Sequence, residues 1–200
     1  MPHKTPHTTP RLRIGGIALA LAGASAMAMM AAPASAQTTA PARAASSTTT
    51  STDGKLVRAD AKMLGDLAQG NRAEVAAGKL ALEKSKDPAV QKFAQQMVDD
   101  HSKALTEVEA LATAKGVNLP DGVGAKHKAK ETTLKPLSGN LFDKQYAKHA
   151  GVGDHESTVK LLKTMQSEGK DADVKALATK MLPTVEHHLM MAKELAAAKK

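Results

Sequence analysis

"DPAVQKFAQQMVDDHSKALTEVEALATAKG", residues 87–116, reads as one complete helix with its own start and stop. Val90, Phe93, Ala94, Met97, Leu105, Val108 and Leu111 recur at helical spacing, so their side chains share one face. Asp87 is a good N-cap, and Pro88 takes the first helical position, where a backbone N–H has no partner anyway. Gly116 suits the left-handed residue that ends a helix. One residue breaks the apolar line. His101 falls on it, midway, where a leucine would pack.

The same period governs the flanking sequence, and no convincing alternating run occurs after Leu56. A preceding helix is predicted from an N-cap at Asp60 to about Ser85, with the stripe Leu64, Leu67, Ala68, Asn71, Val75, Gly78 and Leu82. The link to Pro88 is so short that these two helices form an antiparallel hairpin. "NLPDGVG" and "LKPLSGN" then interrupt the pattern within residues 117–139, with a short polar helix predicted over 125–135. A third long helix runs from Asn140 to about Glu168, stopped by Gly169, with Leu141, Gln145, Val152, His155, Val159 and Leu162 on its inner line. Asp171 caps the fourth, whose stripe is Val174, Leu177, Met181, Val185, His188, Ala192 and Leu195. Pro183 lies inside it and is expected to kink or widen it. Two hairpins joined by a longer connection give an all-α, ferritin-like four-helix bundle with one crossover over residues 59–198. A simple up-and-down bundle is the other arrangement open at this point.

Each long helix therefore sends one potential metal ligand inward: Glu74, His101, His155 and His188. Counted from the tight turns at about 1.5 Å per residue, Glu74 and His101 lie at matching heights. His155 and His188 differ by about one helical turn, part of which a distortion at Pro183 could absorb. Imidazoles with one carboxylate suit a single zinc, copper or iron ion, with Asp100 as a further oxygen or as the partner that orients a histidine. The alternative is a buried layer in which these groups satisfy one another by hydrogen bonds. Residues Glu186 to Met191, "EHHLMM", mix imidazole and thioether, although methionines at helical spacing are read as packing.

The segments "NRAEVAAGKLALEKS", "VQKFAQQMVDDHSKAL", "LSGNLFDKQYAKHAGVGDHESTV" and "LPTVEHHLMMAKEL" resemble the domain of unknown function 4142 family, exported bacterial proteins of ferritin-like fold often labelled outer membrane proteins. The family's acidic residue, Asp-His, histidine and Pro-x4-His-Leu pattern falls on Glu74, Asp100-His101, His155 and Pro183 with His188-Leu189. The resemblance implies the fold and an envelope location, and it implies no reaction. A di-iron bundle would carry Glu-x-x-His on two helices. Here Val98, Val152 and Val185 stand three residues before the three histidines, so the bridging carboxylates of ferroxidase chemistry are missing.

The remaining sequence is consistent with export. Lys4, Arg11 and Arg13 precede an uncharged run from Ile14 to Ala36 that ends in Ala34-Ser35-Ala36, the pattern of a cleaved signal peptide over residues 1–36. Residues 37–58 are rich in Ser, Thr and Ala with little to bury, and read as a disordered linker. There is no cysteine in the chain, so neither a disulfide nor a thiolate site contributes. The formal net charge of +8 is spread as Lys among Asp and Glu. This charge favours weak association with anionic envelope components, whereas export to the periplasm, or to the outer membrane, argues against nucleic acid as a partner. No phosphate-binding glycine loop or Ser/His/Asp grouping is apparent. The sequence thus reads as a non-enzymatic exported envelope protein whose buried Glu/His layer can hold one divalent metal ion. A metal-dependent oxidoreductase or metal-handling enzyme of the envelope is the alternative.

Overall fold

The computed structural model describes residues 55–199, so the predicted signal peptide and most of the predicted linker lie outside the described residues. Helix α1 spans Arg58–Lys84 and α2 spans Pro88–Ala114. A short α3, Gly124–Leu134, leads to α4, Gly139–Tyr146. A π-helical stretch, Ala147–Asp154, joins α4 to α5, His155–Glu168, and α6 is Ala172–Ala198. Among the described residues there is no strand, and no helix is long and apolar enough to cross a membrane.

The helix ends follow from local chemistry. Asp87 accepts hydrogen bonds from the N–H groups of Ala89 and Val90, and Asp171 does the same for Asp173 and Val174. Gly116 has φ +63°, and Val117 N–H reaches back to the Ala112 carbonyl at 2.8 Å, closing α2 with a left-handed cap. Gly169 ends α5 for a different reason. A Cβ there would stand 2.5 Å from the Met165 carbonyl oxygen.

Side-chain contacts fix the helix directions. Lys84, at the end of α1, donates to the Leu137 carbonyl just before α4, while Lys115, at the end of α2, pairs with Asp171 at the start of α6. Helix α2 and the α4–α5 rod consequently run in the same sense. The connection between them must climb the length of the bundle, and α3 does so against α1. This is the one-crossover arrangement. The hairpin α1–α2 is drawn tight at Gly78, whose Cβ position lies 2.8 Å from Val98 Cγ2 and 2.9 Å from the Ala94 carbonyl oxygen.

Three expectations are corrected by the structure. Asp60 does not cap α1, which starts at Arg58 after Val57. Instead its fully buried carboxylate accepts the backbone N–H groups of Lys170 and Asp171, latching the α5–α6 turn onto α1. Leu141 is exposed and its neighbour Phe142 is wholly buried with Tyr146, because the wide π turns rotate the first half of the third rod relative to the second. Helix α6 stays α-helical through Pro183, and the widening sits at 147–154.

The core divides in two. Val90, Phe93, Ala94, Met97, Phe142, Tyr146 and Leu195 belong to one apolar cluster, and Leu64, Leu67, Val108, Leu162, Met165, Val174 and Leu177 to the other. Between them along each long helix lie the buried polar residues Asn71 and Glu74, His101, Asp154 and His155, and His188.

Replacing Asp60 by Ala would remove the buried carboxylate that accepts from Lys170 and Asp171, and should cost about 3 kcal/mol of unfolding free energy. Urea unfolding should show this loss, whereas Asp66→Ala, which removes an exposed pair with Lys62, should change stability by less than about 0.5 kcal/mol.

Candidate metal centre

Three of the inward polar residues meet. His101, His155 and His188 each offer a ring nitrogen, and these three atoms lie within 4.8 Å of one another. Their ring centroids are 5.4 to 5.6 Å apart, and all three side chains are buried. His188 converges in spite of its mismatch in height. Helical side chains lean toward the helix N-terminus, so His155 tilts away from the α5–α6 turn and His188 tilts toward it.

Every ring is held by its other nitrogen. His101 Nδ1 is 2.9 Å from Asn71 Oδ1. Asn71 Nδ2 donates to the Leu67 carbonyl at 2.8 Å, so the amide presents its oxygen and His101 Nδ1 must carry the proton. His155 Nδ1 lies 2.6 Å from the Gly151 carbonyl, an acceptor only, and is likewise the protonated nitrogen. That carbonyl belongs to the π-helical stretch, which brings it under the ring. His188 Nε2 is 3.0 Å from Asp100 Oδ2, leaving His188 Nδ1 buried and without a partner.

The tautomers leave a conflict at the centre. His101 Nε2 and His155 Nε2 face each other at 3.4 Å, and in the neutral rings both are bare lone pairs. A proton between them would resolve it, but burial opposes that charge. His155 is pushed down to about 4, first by desolvation and then by the neighbouring His188. His101 is held well below the ordinary histidine value, again by burial first and then by the other two rings. His188 is lowered by burial as well, although Asp100 partly offsets this. A divalent cation resolves the conflict directly. Two nitrogens on a tetrahedral ion at about 2.0–2.1 Å are about 3.3–3.4 Å apart, which is the separation the pair already has. The pair fits such an ion, and His188 offers a third nitrogen within 4.8 Å of both.

Glu74 and Asp100 occupy different places from the trio. Asp100 sits behind His188, in the position of an orienting carboxylate. The carboxylate of Glu74 stands 3.8 Å from His155 Nδ1, the nitrogen that faces Gly151 rather than His101. Burial, reinforced by Asp154, raises the pKa of Glu74 well above the carboxylate range. Tyr146, buried near this acid, is raised for the same first reason. Asn71 is on the predicted stripe without a predicted role, and its part depends on an amide orientation that spacing does not reveal. Met191 is half-buried against the apolar cluster of Phe93, Tyr146 and Leu195, whereas Met190 is exposed.

The sequence model of the family described as "Domain of unknown function (DUF4142)" matches residues 44–195. Among solved structures, a DUF305 fragment from Deinococcus radiodurans is similar with TM-score 0.64 and 14% identity, over 72% of this chain and 99% of that one. CopM in its Cu(II)-bound form is similar with TM-score 0.60 and 13% identity, over 70% of this chain and 97% of that one. At these identities the likeness is one of fold. No curated protein matches the chain.

The histidine trio predicts a pH dependence. His155 titrates at about 4 when folded and about 6.5 when unfolded, so between these values the unfolded chain binds the extra proton. The His155 contribution to the stability of metal-free protein, about 3 kcal/mol, should be lost as pH drops from about 6.5 toward 4, while Glu74, whose folded pKa is raised, acts with the opposite sign. Urea unfolding of chelator-treated protein across this range should show the native chain losing about 3 kcal/mol more than His155→Gln.

Proposed function

Since this chain belongs to the DUF4142 family, whose described character leaves the activity open, we propose a function from its own site: it binds one divalent transition-metal ion through His101, His155 and His188. The observation that carries this reading is the pair of unprotonated Nε2 atoms facing one another at 3.4 Å in the dry centre of the bundle. Each is made unprotonated by a fixed acceptor behind it. A purely structural polar layer would place a hydrogen between these two rings as it does at its other contacts, and here there is none.

Three neutral imidazoles are ligands for zinc and for copper, and for iron less selectively. CopM, a protein of similar fold, is known in a Cu(II)-bound form, which supports the copper side of that choice. The missing bridging carboxylates weigh against a two-iron centre. Asn71, the Gly151 carbonyl and Asp100 would orient the rings and fix their tautomers, and Glu74 would stand as a neutral acid behind His155. The bound ion would supply Lewis acidity or, if copper, one-electron chemistry. The chain's own residues hold the ligands in place and keep the apolar clusters closed around them.

We further read the protein as exported to the periplasm, on the strength of the basic start, the uncharged run and Ala34-Ser35-Ala36. Binding rather than turnover is the role that the site supports best.

Protein purified without an affinity tag and stripped of metal should take up one equivalent of Zn(II) or Cu(II) per chain by elemental analysis. At a hundredfold excess over Kd the ion should add about 2.7 kcal/mol to unfolding stability. Ala at His101, His155 or His188 should abolish that gain, and Asn71→Ala or Asp100→Asn should weaken binding by about 10- to 100-fold. A folded protein that gains neither metal nor stability would remove the proposal.

A further inference from the structure

We propose that the cavity between α2 and α6 is a ligand pocket for the metal centre, admitting a small anionic donor from solvent to the ion. This rests on the metal-binding reading above. The cavity has a volume of about 170 Å³, and His101, His188 and Asp100 are part of its wall. That space is several times the roughly 30 Å³ a water occupies in the liquid. His155 is packed from another side by the Phe93 ring, 6.3 Å away, which itself meets Tyr146 edge-on. The α2–α6 cavity, which His101 and His188 both line, is the route from solvent that the structure offers to the ion.

The donor count points the same way. Among the described residues, the cluster able to hold an ion has three members, all histidines. Asp100 is engaged with the outer nitrogen of His188, and Glu74 lies behind His155. A zinc-type ion takes four ligands when its site is closed, and three protein ligands with an open position is the pattern of sites that bind an exogenous group. A divalent ion on three neutral imidazoles keeps its full charge, so the entering donor is favoured when it is an anion. The cavity's outer wall carries Lys103 and Lys180, and Lys180 reaches from α6 to Glu107 on α2 at 2.7 Å across the mouth. Lys180 is largely exposed and Glu107 partly so, and a pair this close to solvent parts for an incoming anion at little cost.

Azide titrated into the Cu(II)-loaded, full-length protein tests the pocket, with metal content measured separately on the same samples. The expected result is one azide per copper, seen as a saturable charge-transfer absorption and a changed electron paramagnetic resonance spectrum. Ala104→Met and Thr184→Met fill the cavity from opposite helices. Each should weaken azide binding by about tenfold or more while copper stoichiometry stays at one, as expected when a ligand must displace packed atoms. Copper bound without any response to azide overturns the pocket and leaves the metal site standing. So does an azide affinity that neither filled variant changes. Failure to bind copper overturns both, and the metal analysis identifies that case.

Discussion

Two imidazole nitrogens that face each other bare and cannot easily be charged form the constraint around which this bundle is organised. Asn71 behind one ring and the Gly151 carbonyl behind the other decide where the protons are. Burial then decides that no further proton arrives at neutral pH. Neither effect alone would mark a ligand site. Rings free to flip would donate to each other, and exposed rings would share a proton or a water. The two together leave an unmet demand for positive charge at a fixed point, with a third ring, braced by Asp100, beside it.

The same layer shapes the packing. It separates two apolar clusters that would otherwise merge into one continuous core. The bundle consequently holds at both ends by ordinary burial and at the middle by directed bonds. The Asp60 latch matters because it ties the start of α1 to the α5–α6 turn, making the hairpin pairs a closed set of four. Small residues make this geometry accessible. Gly78 lets α1 and α2 approach, and a Cβ on Gly151 would come within 3.1 Å of Ala192 Cβ.

Much of this was legible in the sequence because it depends on local rules. Capping by Asp87 and Asp171, termination at Gly116, and the stripe of α6 all follow from residue type and period. The inward histidines were visible as breaks in apolar lines. What lay beyond reach depended on direction rather than position. Spacing places Glu74 on the inner face but does not say toward which nitrogen of His155 its carboxylate turns. Height along the rods undervalued His188, because it counts Cα positions and ignores the opposed tilt of side chains on antiparallel helices. Phe142 and Tyr146 stand in the core in place of Leu141 because the helix widens after Tyr146, which an ideal repeat does not show.

That widened segment carries a consequence for how the chain can vary over generations. A π turn accommodates surplus length inside a helix, and each residue of an α-helix advances about 100° around its axis. The surplus in Ala147–Asp154 is what lets Phe142 and Tyr146 on one side and His155 on the other face the same interior. Losing one amino acid there relaxes the wide turns toward α pitch and leaves both faces inward, whereas losing one within α5 or α6 swings everything beyond it by about 100°. Lineages carrying this protein should therefore vary in residue count along that stretch more readily than along the regular helices.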